Sequence, residues 1–180
     1  MSEGKRRIDR LLSGEFLDDL SGKSIEEVRM LRSDCAAEES LASYERRLVH
    51  GRLAILRAEL ERRRGGGDAS SIIDALPQIL ADQRGPTSNR GGLPVKDVTI
   101  PFDHPSRRVT KLVSDDTLAN LPTLSDDEIA SHIEVLEEAE REVSNIRAQV
   151  IEILDDINRE IGRRYSTGEA NPSDVLTNPS

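Results

Sequence analysis

Apolar residues recur at steps of three and four along two long stretches of this chain. In the second stretch, Ile129, Ile133, Leu136, Val143, Ile146, Val150, Ile153 and Ile157 keep that step, and Glu140 stands at the one skipped position. The step places them on one face of an α-helix. The first stretch carries two stripes, one of Leu41, Tyr44, Leu48 and Ile55 and one of Ala42, Val49, Leu53, Leu56 and Leu60. Two stripes predict packing against two neighbours. Both stretches open on the same start signal. Ser24 stands three residues before Glu27 in "SIEE", and Ser125 three before Glu128 in "SDDE", the spacing of a capping box. The first pattern runs without proline from Ser24 to Arg64 and stops at Gly65, Gly66 and Gly67; the second fades near Tyr165. Each predicted helix is about 40 residues, or roughly 60 Å. Helices of that length in a small protein predict pairing as a coiled coil.

Shorter segments surround them. Residues 1–23 contain "RRIDRLLSGEFLDDLSG", which reads as one or two short amphipathic helices, and 24–64 form the first long helix. Residues 65–106 hold a further short helical pattern, "SSIIDALPQILADQR", followed by a Gly- and Pro-rich run from Gly85 to Ser106 that reads as a flexible linker. Residues 107–165 carry a short segment and the second long helix, and 166–180 read as a disordered polar tail. The expected fold is all-α: two long helices forming an antiparallel coiled-coil hairpin, with short accessory helices and a disordered linker and tail.

The two stretches also match each other. At an offset of 101 residues, Leu17, Leu20, Ser24 and Glu27 meet Leu118, Leu121, Ser125 and Glu128. Further along, Glu39, Ser43, Arg46, Val49, Leu53, Glu59, Arg62 and Arg63 meet Glu140, Ser144, Arg147, Val150, Leu154, Glu160, Arg163 and Arg164. A shared apolar seam does not account for the matched mid-helix polar residues, so the pattern points to duplication of one helical unit.

Composition narrows the function class. Aromatic residues are 2% of the chain and charged residues 33%, which argues against an aromatic-cored α/β or β-sandwich enzyme and for helices packed through aliphatic seams. The lone Cys35 cannot form an internal disulfide. No apolar run reaches the roughly 18 residues of a membrane span, and the apolar core of "MSEGKRRIDRLL" is short for a secretory signal. The expectation is a soluble, cytoplasmic protein. Residues 107–180 hold 8 basic against 16 acidic residues, whereas residues 1–64 hold 14 against 13. Such a C-terminal half repels nucleic acid and attracts a basic protein, or serves solubility alone. His50, His104 and His132 lack metal-ligand spacing. No phosphate loop, nucleophile elbow or metalloprotease helix occurs, so no enzyme and no catalytic cofactor are expected. The basic run Arg62–Arg64 reads as complementing the dipole at a helix C-terminus.

The candidate chemistry lies in the duplicated polar positions. Glu39, Ser43 and Arg46 follow at steps of four and three, as do Glu140, Ser144 and Arg147, which keeps each trio on one helix face. Arginine can grip the O6/N7 edge of guanine or a phosphate with two hydrogen bonds, and a carboxylate accepts from guanine N–H groups. The alternative is a solvated face with intrahelical Glu–Arg pairs.

The spacing E-x3-S-x2-R-x3-Q-x3-D resembles the signature of the RsiG family, anti-sigma factors of actinobacterial sporulation. The words "RRIDRLL", "SYERRLVHGRLAILRAEL", "LPQILAD" and "GRRYSTGEA" resemble that family in the same order. The resemblance implies a helical coiled-coil protein that binds a WhiG-type sigma factor when loaded with cyclic di-GMP and so delays sporulation. It also implies that both motif copies contact an intercalated cyclic di-GMP pair. Carried over by position, the ligand-binding residues are Glu39, Ser43, Arg46 and His50 in one copy and Glu140, Ser144, Arg147 and Asp155 in the other. His50 and Ile151 stand where the pattern has glutamine, and Ala54 where it has aspartate. Two other readings stay open: a coiled-coil structural or adaptor protein with no nucleotide ligand, and a nucleotide sensor with no sigma partner.

Overall fold

The computed structural model describes residues 7–14, 17, 19–66 and 116–170, and among these every regular element is helical. Helix α1 spans Arg7–Leu12 and a 3-10 turn spans Leu20–Gly22. Helix α2 spans Ile25–Arg64, α3 Thr117–Asn120, a second 3-10 turn Leu121–Thr123, and α4 Asp126–Thr167. The pattern "SSIIDALPQILADQR" and the Gly/Pro-rich run from Gly85 to Ser106 lie outside the described residues.

The start signals work as their spacing requires. The Ser24 backbone N–H donates to the Glu27 carboxylate at 2.7 Å, and the Glu27 N–H donates to Ser24 Oγ at 3.2 Å. Ser125 and Glu128 repeat both bonds at 2.7 and 3.3 Å. Each box satisfies two of the donors that a helix start leaves without intrahelical partners. The bonds from Ser24 and Ser125 hold the Glu27 and Glu128 carboxyls below their ordinary pKa. At the other end of α2, Gly66 adopts φ +66, a left-handed conformation that glycine takes without a Cβ clash.

The described chain divides into two compact units. The first comprises residues 1–40 and 146–180, the second residues 41–145. In the first unit, Ile8, Leu11, Leu20, Val28 and Cys35 form a buried cluster with Val150, Ile153 and Ile157. Contacts run in opposite chain directions: Arg29 reaches Tyr165, Arg32 reaches Asn158, and Glu39 meets Arg147. In the second unit, Ala42, Val49, Leu53, Leu56 and Leu60 pack with Leu121, Ile129, Leu136, Ala139 and Val143. Here too the order is reversed, with Arg46 meeting Glu140, Arg57 meeting Glu137 and Arg63 meeting Asp126. Within each unit the segments of α2 and α4 are therefore antiparallel. Full burial of an aliphatic side chain contributes roughly 1.5–3 kcal/mol, so these seams are the main source of stability.

Two readings are refined. The apolar seam of α4 is buried or half-buried throughout, and the Ala42–Leu60 stripe of α2 is buried at every member. The other stripe is not a continuous packing face: Leu41 is buried, Leu48 and Ile55 are half-buried, and Tyr44 is exposed. Residues 166–170, read as the start of a disordered tail, are also ordered. Helix α4 continues to Thr167, Gly168 turns the chain at φ +77, and the Ala170 N–H donates to the Arg164 carbonyl at 3.2 Å. That turn buries Ala170, while Arg163 holds Glu169 through bonds of 2.6 and 2.8 Å. Residues 171–180 lie outside the described part.

Candidate functional site

Two side-chain clusters carry the duplicated polar positions, one in each unit. In the second unit the centre is Glu140, at the skipped position in the α4 seam. Its Oε1 accepts from Arg46 Nε at 3.0 Å and from Ser144 Oγ at 2.7 Å, and lies 3.0 Å from His50 Nε2. Arg46 Nε also donates to Ser144 Oγ at 3.0 Å. The His50 hydrogen bond, then that of Ser144, and Arg46 more weakly, hold the Glu140 carboxyl at a pKa of about 2 against the opposing effect of burial. Arg46 commits only its Nε, and its two terminal nitrogens take no partner among the described residues. That leaves the planar fork, the part of an arginine that binds a base edge or a phosphate, available to a ligand.

In the first unit, Arg147 Nε donates to Glu39 Oε1 at 2.9 Å. This is the Arg46–Glu140 pair with the two copies exchanged. Each arginine thus bonds the glutamate of the other copy, so these Glu–Arg bonds run between the helices. Of the other residues expected in the site, Asp155 is exposed in the first unit and makes no bond to Glu39 or Arg147, while Ser43 is half-buried in the second. His50 takes its place in the Glu140 cluster, whereas its counterpart Ile151 brings no polar group to the first unit.

A second duplicated device surrounds the helix ends. Glu59 is chelated by Arg62 at 2.7 and 2.8 Å and by Arg63 at 2.5 Å. Arg63 also donates to the carbonyls of Leu124 and Leu121 at 2.6 and 2.9 Å. In the first unit Arg164 donates to Glu160 at 2.7 Å and to the carbonyls of Lys23 and Leu20 at 2.7 and 2.5 Å. Complementing the helix dipole, the reading given to Arg62–Arg64, is therefore the smaller part of what Arg63 does: it clasps the turn that leads into the opposite helix. Arg62 holds Glu59 and Arg163 holds Glu160 at a pKa of about 2.

These three glutamates set an acid response. Their folded pKa of about 2 lies below the ordinary 4.5, so the unfolded chain binds more protons as the pH drops. Their stabilising contribution is complete above pH 4.5 and is lost as the pH falls from there toward 2. The melting temperature is expected to hold steady down to about pH 5 and then decline. Glu59→Gln should lower the neutral-pH melting temperature and flatten that acid limb, as followed by circular dichroism.

Sequence reasoning missed one feature. An open cleft of about 360 Å³ in the second unit is lined by His50, Leu53, Ala54, Arg57, Glu137, Glu140 and Arg141. Three of these, Arg57, Glu137 and Arg141, carry no repeated motif; their counterparts at the 101-residue offset are Asn158, Ala36 and Ser40. Among the described residues no group of His, Cys, Asp and Glu could hold a metal ion, and no helix is long and apolar enough to cross a membrane.

The family model that matches this chain is RsiG, described as RsiG-like, over residues 14–80. Residues 14–80 are RsiG-like. No curated protein matches the chain. The RsiG-like segment contains the whole of α2, and with it Glu39, Ser43, Arg46 and His50. The RsiG-like family is a regulatory, anti-sigma factor family. Helix α4 follows the RsiG-like segment in the chain, and Glu140, Ser144 and Arg147 join its motif residues through the antiparallel pairing inside each unit.

Proposed function

We propose that this protein is a cytoplasmic anti-sigma factor that sequesters a WhiG-type sigma factor, with cyclic di-GMP as its regulatory ligand, and thereby controls sporulation genes. The observation that carries the ligand half of this reading is the cluster around Arg46, a residue of the RsiG-like segment. Its Nε is fixed by Glu140 and Ser144 while its terminal nitrogens take no partner among the described residues, and Glu140 stays ionised as an acceptor for guanine N–H groups. Glu39 and Arg147 bring the same pair of side chains to the first unit. A ligand that bridges protein and sigma factor strengthens their association by linkage.

Capture of purified WhiG-type sigma factor on the immobilised protein, with and without cyclic di-GMP, tests the proposal. Nucleotide-dependent capture is the expected result, and no capture in either condition removes the anti-sigma role. Capture without nucleotide keeps that role and removes the switch. In calorimetry, Arg46→Ala and Arg147→Ala are each expected to weaken cyclic di-GMP binding several-fold to a hundredfold, about 1–3 kcal/mol per bidentate guanine contact.

One observation favours a second reading. Arg46, Glu140 and Ser144 already bond one another in the second unit, and Arg147 bonds Glu39 in the first, as a structural coiled-coil adaptor would require. Under that reading the alanine variants lose stability while cyclic di-GMP gives no heat, and light scattering finds self-association into rods.

A further inference from the structure

The cleft of the second unit is not accounted for by the duplicated motif. Its wall holds Glu140 with its partner His50, two guanidinium groups, Arg57 and Arg141, and the carboxylate of Glu137, and Ala54 contributes only a methyl group. Arg57 donates to Glu137 at 2.6 Å and Arg141 to Glu138 at 2.6 Å. All four side chains are well exposed, at 55 and 43% for the first pair and 69 and 57% for the second, and exposed pairs of this kind add little to stability. Each pair is joined by a single bond, whereas an arginine fork can grip a phosphate with two, so a phosphate can take either carboxylate's place. The Glu140 carboxylate is already bonded by Arg46, Ser144 and His50, so it does not oppose an incoming anion as a bare charge would. The volume, about 360 Å³, lies near the lower end for ligand pockets, roughly 300–1,000 Å³, the size for one nucleotide.

Resting on the reading that the protein takes a guanine nucleotide, we propose that this cleft binds one such nucleotide, with its base against Glu140 and His50 and its phosphate held by Arg57 and Arg141. The site belongs to the second unit's own residues. At the equivalent places in the first unit stand Ile151, Asp155 and Asn158 in place of His50, Ala54 and Arg57, and Asn158 accepts from Arg32 at 2.8 Å.

Calorimetry on the full chain with cyclic di-GMP, GMP and guanosine tests this. The double variant Arg57→Gln/Arg141→Gln is expected to bind cyclic di-GMP and GMP at least about tenfold more weakly while its weak guanosine binding stays as in wild type. Arg159→Gln, which removes an exposed arginine of the first unit paired with Asp156, is expected to leave all three unchanged. Wild-type affinity in the double variant, or an equal loss for guanosine, overturns the phosphate role of these arginines while leaving the cyclic di-GMP reading intact. Binding of GMP without cyclic di-GMP supports the cleft and removes the cyclic ligand. Binding of neither overturns both.

Discussion

Arg164→Ala is expected to lower the free energy of unfolding by about 2–4 kcal/mol, read as a lower urea midpoint at unchanged slope. The side chain is 6% exposed, and each of its nitrogens has work. Nη1 donates to the Lys23 carbonyl, Nη2 to the Leu20 carbonyl and Nε to Glu160. Truncation strands two backbone acceptors and weakens the hold on a carboxylate, and a buried polar group left without a partner costs about 1–3 kcal/mol. Arg164→Lys keeps the charge but loses the fork, so it should recover only part of the loss. Arg63→Ala removes the same clasp from the Leu121 and Leu124 carbonyls. Its side chain is 18% exposed, water can reach the vacated acceptors, and the cost should be smaller. Equal, near-zero effects of both alanine variants would show that the clasps are incidental.

Leu56→Ala should cost about 2–5 kcal/mol, the usual range for emptying a leucine site in a packed core. Leu56 is 1% exposed and sits with Leu53, Leu60, Leu121 and Ile129 in the second unit's core. Tyr44→Ala, at a position 40% exposed on the other stripe of the same helix, should stay within about 0.5 kcal/mol. Denaturant unfolding of the two variants side by side checks which stripe of α2 is the core. A larger loss at Tyr44 would reverse the assignment.

The parts of this molecule that could be read from sequence are those governed by local periodicity. The α4 seam shows in its three- and four-residue steps, and both helix starts show in a serine followed three residues later by glutamate. The fold class followed from these and from the shortage of aromatic residues. What could not be read depends on which residues meet across long separations. Glu39 and Arg46 lie seven residues apart, two helical turns, too far for a direct bond. Only the antiparallel register inside each unit shows that Arg46 bonds Glu140 and Arg147 bonds Glu39. Arg63 looked like a dipole complement because its carbonyl acceptors lie 58 and 61 residues away in the chain, and the acceptors of Arg164 lie 141 and 144 residues away. Arg57, Glu137 and Arg141 gave no signal because the repeat does not include them. The ordered start of the tail was masked by polar composition, although its glycine sits where a helix C-terminus commonly turns.

The exchange of partners between the copies bears on how this sequence can change. After a duplication, one copy is ordinarily at liberty to drift while the other preserves the original role. Here Glu39 depends on Arg147 and Glu140 on Arg46, and Arg63 and Arg164 each clasp the turn that opens the other copy. A charge lost in either copy leaves its damage in the other. The two halves of the gene are therefore tied as host and guest to each other, and the freest positions are those whose side chains enter no bond between the copies, such as Ile151.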